Sequence, residues 1–173
     1  MKDSTKEFDD LFKALIGDVE RLNDVLGKSD HPLTRGAYVR AVFALLEGMT
    51  YAMKQVALDY RWHLRNPFSD TEVAILQEKN YSLNDTGQVS VRTANLPFLP
   101  NLRFAFYAFC KSHNASYSLP VTGKGWHALQ HALRVRHRLM HPKSADDLLV
   151  KNAEMEDVDT AFRWFVSNVA LGF

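Results

Sequence analysis

The chain has 173 residues, 46% hydrophobic and 24% charged, with a net charge of +1. That size and balance suit one domain over 1–173 with its own core, and exclude long disorder, collagen-like repeats and an acidic solvating chain. A single cysteine, Cys110, excludes an internal disulfide framework and a cysteine zinc cage, and no apolar run reaches the ~18–20 residues needed to span a bilayer.

The opening MKDSTKEFDD is polar and has no signal-peptide core, so a cytoplasmic protein with no membrane partner is expected. Ser4-Thr5-Lys6-Glu7 is a capping-box pattern that opens a helix to about Leu26, ended by Gly27. Phe8, Leu11, Phe12, Leu15, Val19 and Leu22 recur there at three- and four-residue steps, as a one-sided helix requires. Asp30-His31-Pro32 reads as a turn. Thr34 is then predicted to cap a long helix to about Leu64, with Asn66-Pro67 as its stop. One stripe of that helix is large and apolar (Tyr38, Val42, Leu45, Leu46, Met49, Met53, Val56). Another is small (Ala37, Ala41, Ala44, Gly48, Ala52) and admits a close helix, either internal or from a second subunit.

Ser69-Asp70-Thr71-Glu72 is a second capping box, starting a short helix to about Lys79. Val89, Val91 and Thr93 alternate with polar residues, and Asp85-Thr86-Gly87 is a turn signal. A small hairpin or ordered loop is expected around 81–95. An aromatic helix follows from about Leu99 to His113, then one from about Lys124 to Met140 ended by Pro142. The last runs from Asn152 to about Leu171, with Val158, Phe162, Trp164, Phe165 and Val169 inward. The fold class is all-α, a bundle of five to seven helices.

Charge is segregated along the chain. No Asp or Glu lies between Asp85 and Asp146, a stretch that carries +8 and five of the seven histidines, against −7 for the remainder. Such a distribution points to an anion site, with phosphate or nucleic acid as the anion.

The chemistry concentrates in WHALQHALRVRHRLMH, from Trp126 to His141. At 100° per residue, Trp126, Ala128, Leu129, Ala132, Leu133, Val135, Leu139 and Met140 fill one face. His127, His131, Arg134, Arg138 and His141 fall opposite. Arg136 alone lies within the apolar face. A guanidinium stays charged, so Arg136 either meets a carboxylate, with Glu47 a candidate, or lines a cleft that receives an anion. His127 and His131 have the spacing of two metal ligands. They lack the intervening Glu of the metalloprotease pattern and any third ligand nearby, so no metal is assigned. No phosphate-cradling glycine loop and no nucleophile elbow occurs. Cys110, on the aromatic helix, reads as a buried apolar residue.

Arg136-His137-Arg138-Leu139-Met140-His141, closed by Pro142, resembles the Arg-polar-x-x-x-His motif of HEPN domains. These are helical domains of prokaryotic toxin–antitoxin, abortive-infection and other RNA-targeting defence systems. The segment RGAYVRAVFALLEGMTYAMKQVAL, from Arg35 to Leu58, resembles that family's helix of aliphatic and small residues with a central Glu, here Glu47. The resemblance implies a HEPN-like bundle with 81–95 as a variable insert. It also implies an endoribonuclease that needs no metal or cofactor. Two copies would pair so that two motifs face one cleft, and an antitoxin protein would be a further partner. Arg136 and His141 would be catalytic, with His137 and Glu47 supporting. Lys124, Arg134, Arg138 and Lys143 would attract the RNA backbone. The second motif position is His137 where the family more often has Asn. Where some toxin relatives carry a modified Tyr two residues after the motif His, this chain has Lys143, so that modification is not implied. A non-catalytic HEPN module that binds nucleotides or a partner protein is the alternative reading. A third is an unrelated helical protein whose Arg136 and His141 are structural.

Overall fold

Pro32 sets the start of the longest helix. Proline lacks the N–H that a first helical position cannot use, and its φ is already helical. The N–H of Leu33 donates to Nδ1 of His31 at 3.2 Å, so His31 caps the helix, three residues before the cap expected at Thr34. The computed structural model describes residues 4–64, 67–116 and 118–171, without the side chains of 63, 170 and 171. Among these residues there are six α-helices: α1 Ser4–Lys28, α2 Pro32–Tyr60, α3 Asp70–Leu76, α4 Phe98–Ser112, α5 Lys124–Met140 and α6 Asn152–Leu171. Two strands, β1 Lys79–Leu83 and β2 Val89–Thr93, lie between α3 and α4. Single 3₁₀ turns follow α2 (Arg61–His63) and α5 (Ala145–Leu148). The expected all-helical fold with a small hairpin is therefore observed.

Several ends differ from expectation. Helix α1 continues through Gly27 to Lys28. Helix α2 tightens into its 3₁₀ turn after Tyr60, short of Leu64, and the Asn66 of the expected stop lies outside the described residues. Helix α3 keeps its capping box at Ser69 and Glu72 but ends at Leu76, because Glu78 takes φ 54° and redirects the chain into β1. The strands pair antiparallel, Tyr81 opposite Val91 and Leu83 opposite Val89. In their turn Oδ1 of Asn84 accepts from the N–H groups of Thr86 (3.1 Å) and Gln88 (2.8 Å), and Gly87 supplies the positive φ of 78°.

The chain divides into two compact units, residues 1–8 with 49–119 and residues 9–48 with 120–173. In the first, Ala57, Leu58, Phe68, Leu76 and Ala108 form an apolar cluster. Phe8 stacks on Phe109 with ring centroids 6.0 Å apart. Cys110 is buried, and burial pushes its thiol pKa up, which keeps it protonated and unreactive.

In the second unit α5 packs along α6, and Leu129, Ala132, Val135, Val158, Ala161 and Phe165 are buried. Trp126 meets Trp164 edge-on at 5.8 Å. The phenol of Tyr38 donates to Asp159 at 2.6 Å, and burial followed by that carboxylate holds the hydroxyl protonated. The small stripe of α2 accepts a neighbour from within the chain at one point, since a Cβ on Gly48 would lie 2.8 Å from Cδ1 of Leu15 in α1. Gly125 is tighter still: its Cβ would fall 2.3 Å from the indole of Trp164. Gly125→Ala is expected to destabilise the chain by about 1–3 kcal/mol in urea titrations, because the α5–α6 contact must open to admit one methyl. No helix among the described residues is long and apolar enough to cross a membrane.

Candidate functional site at the end of helix α5

Helix α5 begins after Gly123, whose φ of 87° breaks any preceding helix, and stops where Pro142 forbids the next turn. His141 is the capping residue, with φ −133° and ψ 57°, outside helical geometry as a residue before proline tends to be. Its N–H donates to the carbonyl of His137 at 3.1 Å, and its ring is exposed. The segment beyond it is tied down by one carboxylate. Oδ2 of Asp147 accepts from the N–H groups of Lys143 (2.7 Å) and Ser144 (3.0 Å).

Those two donors hold the carboxyl of Asp147 below the ordinary carboxylate range, against a smaller opposing effect of desolvation. A carboxylate depressed in the folded state lends stability above its unfolded pKa and loses it as pH falls through the folded value. The anchoring is therefore intact above about pH 4 and released at more acid pH. The amide protons of Lys143 and Ser144 should titrate together, with a midpoint below that of an ordinary aspartate. In Asp147→Ala that titration should vanish.

Arg136 is half-buried. Its Nη2 lies 2.8 Å from Oε1 of Glu47 in α2, with the two side chains 23% and 41% exposed. Of the two fates open to Arg136, meeting a carboxylate is the one observed, and the pair is within reach of solvent. An ion pair this exposed contributes about 0–1 kcal/mol, so an arriving phosphate can compete for the guanidinium. Glu47 takes only part of the five-donor fork. Arg136 near the C-terminal end of α5 thus meets the middle of α2 at Glu47, and His141 caps that same end of α5.

The flanking cations fare differently. Arg138 is paired with a carboxylate, as Arg136 is: its Nη2 lies 2.9 Å from both carboxylate oxygens of Glu154. Lys124 is the first residue of α5, about 18 Å along the helix axis from Arg136. Arg134, His137 and Lys143 are exposed. His131 pairs through Nδ1 with Asp157 at 3.1 Å, and among the described residues no group of three or more His, Cys, Asp or Glu could hold a metal ion.

Arg40 is a residue that sequence reading passed over. It lies seven positions before Glu47, on the same face of α2, and its Nη2 donates to the carbonyl of Leu139 at 3.3 Å. That spacing of two turns on one face was visible in the sequence, but Arg40 has no apolar-face anomaly to draw attention. The contacts Arg40 to Leu139 and Glu47 to Arg136 run in opposite order along the two helices, so α2 and α5 are antiparallel here.

No protein-family model, curated protein or solved structure matches the chain.

Proposed function

We propose that this chain is a HEPN-type, metal-independent endoribonuclease that works as a pair of copies. The carrying observation is that Arg136, half-exposed on Glu47, and His141, exposed at the helix cap, occupy the same end of α5. RNA brings its own nucleophile. The imidazole of His141 takes the proton of a 2′-hydroxyl, whose oxygen forms a bond to the adjacent phosphorus. The bond from phosphorus to the 5′-oxygen breaks, and that oxygen leaves with a proton given by the protonated imidazole of His141 or by water. The ends are a 2′,3′-cyclic phosphate and a 5′-hydroxyl. Arg136 donates to the non-bridging oxygens as their charge grows, having turned from Glu47. Pairing of two copies would bring two such motifs to one cleft, with His137 and Glu47 orienting the reacting groups. Arg134 and Lys143 add positive charge for the backbone, so binding weakens with salt. A role in toxin–antitoxin or phage-defence systems, with an antitoxin as partner, belongs to the same proposal.

One observation favours the second reading, a non-catalytic module for nucleotides or a partner protein: the guanidinium of Arg136 already has a carboxylate. Incubation of the chain with single-stranded RNA in EDTA separates the two. Cleavage to cyclic-phosphate ends supports the nuclease. Tight binding with intact RNA supports the module and sinks the nuclease.

A further inference from the structure

Five guanidiniums in the second unit are paired with carboxylates: Arg21 with Asp18, Arg35 with Asp30, Arg136 with Glu47, Arg138 with Glu154 and Arg163 with Asp159. Arg40 is not. Its guanidinium rests on a neutral main-chain oxygen, that of Leu139, and no ion pair holds it among the described residues. It stands at the edge of a groove of about 230 Å³. The rest of the lining is apolar: Pro32, Leu33 and Gly36 from α2, Leu139 from α5 and Leu148 from the following 3₁₀ turn. Leu33 is 74% exposed, so the groove opens to solvent along one lip. Gly36 itself adds no side chain to the floor, where a Cβ would lie 3.2 Å from Nη1 of Arg40 and 3.9 Å from Cδ2 of Leu139. The carbonyl that Arg40 touches is two residues from His141.

We propose that this groove is the nucleotide subsite of the enzyme. Arg40 binds an RNA phosphate next to the one held at Arg136 and His141, and the adjoining base enters the apolar groove. This rests on the nuclease reading for its substrate. The physical logic is independent of the chemistry step. An unneutralised cation at the rim of an apolar recess matches a ligand that is anionic at one end and flat and weakly polar at the other, which describes a nucleotide. The recess is smaller than the ~300–1,000 Å³ of a drug-sized pocket, which suits one base rather than a larger ligand. Arg40 holds the strand in place and moves no proton, so it is a positioning residue.

The test uses a short single-stranded oligonucleotide with 2′-fluoro sugars, which lacks the nucleophilic hydroxyl and reports binding alone. Fluorescence anisotropy is measured for the wild type and three variants. Arg40→Gln removes the charge and should weaken binding about tenfold or more. Gly36→Leu occupies the floor and pushes against the Arg40 guanidinium, and should weaken binding by a similar factor. Should that change unfold the chain, Leu33→Glu at the exposed lip sets a carboxylate against Arg40 without disturbing the core, and should also weaken binding about tenfold. Leu149→Ala, an exposed apolar residue outside the lining, should bind as the wild type does. Failure of the wild type to bind the oligonucleotide overturns the subsite. So does wild-type affinity in both Arg40→Gln and Leu33→Glu. If unmodified RNA is nevertheless cut, the nuclease reading survives that loss. If the variants weaken binding but unmodified RNA is never cut, the subsite stands and the nuclease reading falls.

Discussion

His141→Ala is expected to lower kcat/KM for RNA cleavage by about 10²–10⁴-fold, the usual contribution of a positioned acid or base, while thermal stability stays near the wild-type value. The imidazole can be lost without structural penalty for a local reason. It is exposed, and the helix end depends on the backbone N–H of His141 and on Pro142, which the substitution leaves in place. Arg136→Ala should reduce the rate by about 10²–10³-fold through loss of a donor to the phosphate oxygens. Its structural penalty is small, because the pair with Glu47 is solvent-reachable and worth about 0–1 kcal/mol. Steady-state cleavage in EDTA, with circular dichroism melts of each variant, checks both. Undiminished cleavage by His141→Ala would remove the imidazole from the proposed mechanism and overturn the proposal that Arg136 and His141 form an active site.

How far the sequence reveals this arrangement depends on the range over which each signal acts. Helix α5 was legible to the residue, since Gly123 and Pro142 are local stops that no tertiary contact overrides. The start of α2 was misplaced because its cap is a histidine nitrogen rather than the hydroxyl or carboxylate of the familiar pattern. Charge was the least legible property. The acid-free stretch from Asp85 to Asp146 suggested an open positive field. Glu72, Glu47 and Glu154, all outside that stretch, reach Lys111 (3.8 Å), Arg136 (2.8 Å) and Arg138 (2.9 Å). Separation along the chain is not separation in space. Of that stretch's eight cations, Arg92, Arg103, Lys124, Arg134 and Lys143 remain exposed, and the unpredicted Arg40 joins them from α2. The position of Glu47 opposite Arg136 was available as one possibility from the sequence; only the meeting of α2 with α5 selects it.

In the first unit, Glu78→Gln is expected to destabilise the chain by about 2–4 kcal/mol, a drop in Tm of about 5–15 °C for a protein of this size. The reason is Lys54, which sits on the apolar side of α2 with no exposed surface at all. Its Nζ donates to Oε1 of Glu78 at 2.5 Å and to Oδ1 of Asn101 at 3.0 Å. A buried ammonium held only by neutral oxygens has lost the charge that compensates its desolvation. The partner is less constrained, since Glu78 is 29% exposed and can turn to water. Lys54→Met should therefore cost under about 1 kcal/mol, as a side chain of similar length fills the same space with no charge to satisfy. The double variant Lys54→Met/Glu78→Gln should recover most of the loss caused by Glu78→Gln alone. That asymmetry is the signature of a charge that needs its partner more than the fold needs the pair. Urea denaturation of the four proteins at neutral pH closes the cycle. Equal penalties for the two single variants, with no recovery in the double, would show instead that packing at this point depends on side-chain shape and not on the buried charge.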